Sequence, residues 1–133
     1  MLFLNHITGE LTLDAKCSFG VGINENEISG FSGNYFVEVK PISNDSTYYT
    51  ISDIDYGEFG LVCLFNNNKL NWISISLGKN YNFPPFVITR EEIKLVKQKL
   101  EDMGGENIYQ WGSIELNEDI KGGIVSILIK YNQ

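Results

Sequence analysis

Along most of this chain apolar residues alternate with polar ones, the period of a β-strand with one buried face and one wet face. The clearest case is 70–77, where Ile73, Ile75 and Leu77 alternate with Ser74 and Ser76. Residues 59–65 are almost wholly apolar, which suits a central strand, and Asn66-Asn67-Asn68-Lys69 between the two runs reads as a turn. Upstream, the aromatic and β-branched run 35–39 stops at Lys40-Pro41 and resumes at 48–51 after the turn formers 43–46, giving another hairpin. Residues 1–4 and 11–13 flank a polar turn and predict a short hairpin at the start. Between them, 17–33 carries Gly20, Gly22, Gly30 and Gly33 among Asn and Glu, and reads as irregular chain or weak edge strands.

The period changes once. Pro84 and Pro85 end the strand region, Thr89 and Glu92 have the spacing of a capping box, and Ile93, Val96, Leu100 and Met103 then recur on one helical face. Gly104-Gly105 supplies the stop, so a helix is expected over about residues 89–103. Strand patterns return at 109–116 and 124–131 around the polar turn 117–123, predicting a C-terminal β-hairpin that closes the sheet. The expected fold class is α+β, one domain over 1–133, with a mostly antiparallel sheet packed against one amphipathic helix.

Composition fits that picture. With 133 residues, 43% of them hydrophobic, the chain can bury a core without disulfides. Cys17 and Cys63 have no further sulfur ligand and no CxxC spacing, and read as reduced thiols. The net charge of −7 opposes a nucleic-acid partner, because the main basic cluster (Arg90, Lys94, Lys97, Lys99) is interleaved with Glu91, Glu92, Glu101 and Asp102. The polar pair Asn5-His6 comes too early for a signal peptide, and no apolar run approaches the ~20 residues of a membrane span. A cytoplasmic protein with no nucleic-acid or membrane partner is expected.

Candidate chemistry is sparse. His6 lies beside a predicted turn, and a general base needs an orienting acid and a nucleophile in reach. Neither cysteine has the helix-start or glycine-elbow setting that activates a thiol. Asp53-x-Asp55 followed by Glu58 admits a hard cation, an acidic partner-binding loop or a solvated turn, but the apolar run 60–64 leaves no place for the late ligands of a calcium loop. Glu115, Glu118 and Asp119 in the last hairpin are open to the same readings. Gly104-Gly105 and Gly122-Gly123 lack the strand-to-helix setting of a phosphate loop. The aromatics Tyr35, Phe36, Tyr48, Tyr49, Trp72 and Trp111 lack the flanking positive charge of a base-stacking platform and read as packing residues. No catalytic set, cofactor or metal is expected, and the chain reads as a non-enzymatic binding protein.

The C-terminal half has a recognisable sequence of features: Leu70-x-x-Ile73-x-Ile75-x-Leu77, a helix, Trp111-Gly112-Ser113-Ile114, Asp119-x-Lys121-Gly122-Gly123 and Ser126-Ile127-x-Ile129-x-Tyr131. Over somewhat more than half of the chain it resembles small bacterial immunity proteins encoded beside polymorphic toxins, including those of contact-dependent growth inhibition. The glycine-rich, strand-like N-terminal half departs from the early helix expected of such relatives. The resemblance implies a cytosolic protein that binds the C-terminal toxin domain of a cognate effector and blocks its active site or an essential surface. Many such toxins are basic nucleases, which an acidic partner meets quickly. Charge and expected exposure nominate Asp53, Asp55, Tyr56 and Glu58 as contacts, with Glu115, Glu118 and Asp119 as a second patch. The alternative is a small-ligand or regulatory binding module, with an apolar pocket lined by Trp72, Trp111 and tyrosines.

Overall fold

The computed structural model describes residues 2–14, 17–33, 35–54, 57–77, 90–119 and 124–132. In chain order its elements are β1 (Phe3–Leu4), β2 (Leu11–Thr12), β3 (Ser18–Phe19), a 3₁₀ helix (Glu25–Gly33), β4 (Phe36–Pro41), β5 (Ser46–Ile54), β6 (Phe59–Asn66), β7 (Lys69–Leu77), α1 (Arg90–Asp102), β8 (Asn107–Ile108), β9 (Gly112–Asp119) and β10 (Ile124–Tyr131). The fold is α+β, as the periodicities require. Among the described residues the strands form two sheets rather than the expected one: β1-β2-β3, and a seven-stranded sheet in the order β4-β5-β6-β7-β10-β9-β8. All the strand pairs are antiparallel.

The order of the large sheet follows from which residues must be buried. Two rows of side chains cross one face: Ile51, Leu61, Ile75, Ile127 and Leu116 in one, Tyr49, Cys63, Ile73, Ile129 and Ile114 in the other. Each fully buried Ile or Leu contributes about 1.5–3 kcal/mol from apolar area removed from water. Sliding β7 by one residue would carry Ser74 and Ser76 into those rows, so the register is fixed by the pattern itself. Placing β10 against β7 continues both rows, with Ile127 opposite Ile75 and Ile129 opposite Ile73. The C-terminal hairpin therefore does more than close the sheet: its second strand lies inside it. The apolar run of β6 also divides by parity, with Phe59, Leu61, Cys63 and Phe65 buried and Val62 and Leu64 half-exposed on the other face.

Local signals explain most boundaries. Asn67 and Asn68 have φ of 50° and 65°, the left-handed pair that a two-residue hairpin turn requires. Val96, Leu100 and Met103 of the predicted helical face are buried, and Ile93 packs against the core. The helix begins at Arg90; Thr89 of the capping box lies outside the described residues. At its other end Gly105 N donates to Leu100 O at 2.9 Å, with Gly104 and Gly105 both at positive φ. Glu92 and Lys99 are buried with the apolar face of the helix, and the Lys99 ammonium lies 5.3 Å from the centre of the Phe59 ring.

Two expectations need correction. Residues 17–33 hold the expected weak edge strand, β3, but also the 3₁₀ helix, because Phe19, Ile28 and Phe31 are buried and draw this stretch into the core, Phe19 meeting Phe31 edge to face at 5.2 Å. β4, as expected, stops at Pro41, and a residue without N–H is tolerated there on an outer strand. Residues 109–116 are not one strand: Tyr109 N donates to Gly112 O at 2.7 Å and Gly112 N to Tyr109 O at 3.3 Å, forming a tight turn that separates β8 from β9.

Candidate partner-binding surface

The strand order gathers most of the acidic candidates at one end of the large sheet. Phe59 is opposite Leu77, Ser76 opposite Ser126, and Ser126 opposite Asn117. The β5–β6 connection and the β9–β10 connection therefore leave the same end. Four strand spacings of ~4.8 Å separate β5 from β9, so this rim spans ~20 Å. Asp53 is exposed at φ 66°, within the register irregularity between Ile51 and Ile54, and Asp is among the few residues that adopt this conformation readily. Glu58 is exposed just beyond Gly57. Asp55 and Tyr56 lie outside the described residues. Glu118 is exposed on β9, and Asp119, its last residue, is opposite Ile124.

Glu115 does not share that setting. Strand alternation places Ile114 and Leu116 on the core side and Glu115 on the other, where its carboxylate meets Lys130 Nζ at 2.9 Å. Both side chains are about half exposed, at 43% and 56%, so the pair adds little stability, but it does neutralise Glu115 locally. Glu115 and Glu118, three residues apart on one strand, thus face opposite ways.

That second face of the sheet carries residues the charge-based reading passed over. Tyr48, Leu64, Trp72 and Lys130 follow one another across it, beside the row Thr50, Val62, Ser74, Leu128 and Glu115. Tyr48 and Trp72 approach to 5.7 Å between ring centres, and the apolar members are half-buried. The available signal was apolar residues at the parity where Ser74 and Ser76 sit.

The remaining candidates have structural settings. His6 Nε2 donates to Met103 O at 2.8 Å, and its ring begins a stack through Tyr109 and Trp111 to Tyr131 with successive centres 5.2, 5.2 and 5.4 Å apart. Trp111 Nε1 donates to His6 O at 2.9 Å and Tyr131 Oη to Gly9 O at 2.7 Å, so this stack fastens the N-terminal turn to the large sheet. Burial pushes the Cys63 thiol up to about 12, against an opposing backbone bond from Tyr49 and with a smaller push from the Glu25 carboxylate. Among the described residues no three His, Cys, Asp or Glu side chains converge as a metal-ligand set, and no helix is long and apolar enough to cross a membrane. The pocket expected between Trp72, Trp111 and tyrosines does not form: Trp72 is on the second face, while Trp111 packs in the stack on the core side. A concavity of about 400 Å³ lies elsewhere, lined by Ile23, Asn24, Asn68, Leu70 and Tyr131 among others.

No family model and no curated protein matches the sequence. A solved structure does match, described as Rhs1-CT in complex with its cognate immunity protein RhsI1. The fold is similar to that of a chain in that complex. The TM-score is 0.68 at 17% identity, covering 99% of this chain and 88% of the matched one. At that identity the likeness is one of fold, and it spans the glycine-rich N-terminal half as well as the tail that carries the sequence resemblance.

Proposed function

We propose that this chain is an immunity protein, which binds the toxin domain of a cognate effector and neutralises it as a stoichiometric inhibitor in the cytoplasm. The observation that carries the reading is the end-to-end fold shared with a chain of the Rhs1-CT and RhsI1 complex. The acidic rim supports it. Asp53, Glu58 and Glu118, with Asp55, Tyr56 and Asp119 beside them in sequence, form the contact zone, and a basic toxin surface, such as that of a nuclease, is its natural counterpart. Carboxylates spread over ~20 Å attract such a surface once it approaches within about a Debye length, ~8 Å at physiological salt, and then occupy positions that phosphates would take. Glu115, already paired with Lys130, contributes less.

The test is co-expression with the toxin domain encoded in the adjacent upstream gene. Rescue of growth and co-purification of a complex of defined stoichiometry are expected. Growth arrest with no complex would refute the reading.

A further inference from the structure

β4 is an outer strand of the large sheet, paired on one side with β5. Phe36, Val39 and Ile42 on this edge are 59%, 57% and 51% exposed. Ile42 N donates to Ser46 O at 2.9 Å, which makes these two a closely bonded pair of the β4–β5 ladder. Bonded and non-bonded pairs alternate along an antiparallel ladder, so Lys40, Glu38 and Phe36 direct their main-chain groups to β5 while Val37 and Val39 direct theirs outward. Pro41 falls in the outward set, so its missing N–H breaks no bond to β5. An edge with outward N–H and C=O groups is a template for another strand.

The side chains select which strand fits. In a two-fold antiparallel pairing of β4 with a second copy, outward groups meet outward groups only if the axis passes through a residue. An axis at Glu38 sets two glutamates against each other, and one at Lys40 sets two lysines against each other. An axis at Val39 places Glu38 opposite the partner's Lys40, twice by symmetry, and Phe36 opposite the partner's Ile42. It also brings the Val37 N–H to the carbonyl of the partner's Pro41, the one group Pro41 can still offer. We propose that the protein forms a two-fold dimer through β4, centred on Val39, with the two large sheets joined into one. The interface is isologous, and its register is chosen by charge. This goes beyond toxin binding and uses none of the rim residues.

Sedimentation velocity over a concentration series tests it, with circular dichroism to verify that each variant is folded. The native chain is expected to dimerise. Glu38→Lys alone and Lys40→Glu alone set like charges face to face and should each weaken association at least about tenfold. The double charge swap restores the opposite pairs and the dimer. An equimolar mixture of the two single variants should form a mixed dimer, because each supplies the charge the other lacks. A native chain that stays monomeric throughout, or a dimer that both single swaps leave unchanged, would overturn the proposal.

Discussion

The indole N–H of Trp111 donates to the main-chain carbonyl of His6 at 2.9 Å, joining the turn of the first hairpin to the turn between β8 and β9. Around this bond the imidazole reaches the end of α1 and Tyr131 reaches Gly9, so one aromatic stack ties the two ends of the described chain together. The lone histidine of the sequence is accounted for by this fastening.

Replacing Trp111 by Phe keeps most of the stack but removes the donor to His6. Equilibrium urea unfolding should show a loss of about 1–2 kcal/mol, the usual effect of stranding a part-buried carbonyl and trimming a buried ring. A midpoint that does not move would mean that water replaces the bond without cost.

Gly9 has φ +78°, and a Cβ built there would overlap the Trp111 ring. Gly22 has φ +89° with nothing within 4 Å of such an atom. Gly22→Ala should therefore cost only the left-handed backbone penalty of about 1–2 kcal/mol, while Gly9→Ala adds a collision of about 1–3 kcal/mol. Thermal and chemical denaturation of the two variants, side by side, separates the terms. Equal losses would show that the indole moves aside freely.

The raised pKa of Cys63 predicts how stability depends on alkali. The native thiol holds its proton up to about 12, against an ordinary value of 9.0. The stabilisation it represents is complete below that ordinary value and is lost as the pH rises through the interval between them. Tyr131 shifts the same way, mainly through burial. Each such group tilts stability by about 1.4 kcal/mol per pH unit within its own window. In urea unfolding measured at successive pH values from neutrality upward, Cys63→Ala should flatten the alkaline decline by one proton's worth. An unchanged slope would place the titration elsewhere.

For the rim, Asp53→Asn, Glu58→Gln and Glu118→Gln combined should slow association with the toxin domain by roughly three- to tenfold at low salt and flatten its salt dependence. Glu115→Gln should do much less, since Lys130 already offsets its charge. Stopped-flow binding at several ionic strengths measures both. If Glu115→Gln proves as harmful as the triple variant, the contact lies on the second face of the sheet and not at its end.

Strand and helix periods were legible because they are local. Ile73, Ile75 and Leu77 mark β7, and Ile93, Val96, Leu100 and Met103 mark α1, without help from the rest of the chain. What escaped depends on distant partners. Phe19, Ile28 and Phe31 order a glycine-rich stretch only because a core awaits them, and the break at Tyr109 follows from a turn bonded to Gly112. The same distinction governs the candidate surface. Sequence proximity grouped Glu115 with Glu118, which the pleat sends to opposite faces, while strand order sets Asp53 and Glu118 on one rim.

The position of β10 bears on how the protein assembles itself. β4 through β7 form a meander of neighbours, yet β8 and β9 join it only through a strand that comes after both of them. Closing the seam between β7 and β10 means bringing together segments separated by a helix and two strands, a slow event for a searching chain. Until it closes, β7 has an unpaired edge of isoleucines, the state most exposed to aggregation. Hydrogen exchange at Ile73, Ile75, Ile127 and Ile129 should then report a single global opening, with the two halves of the sheet lost together.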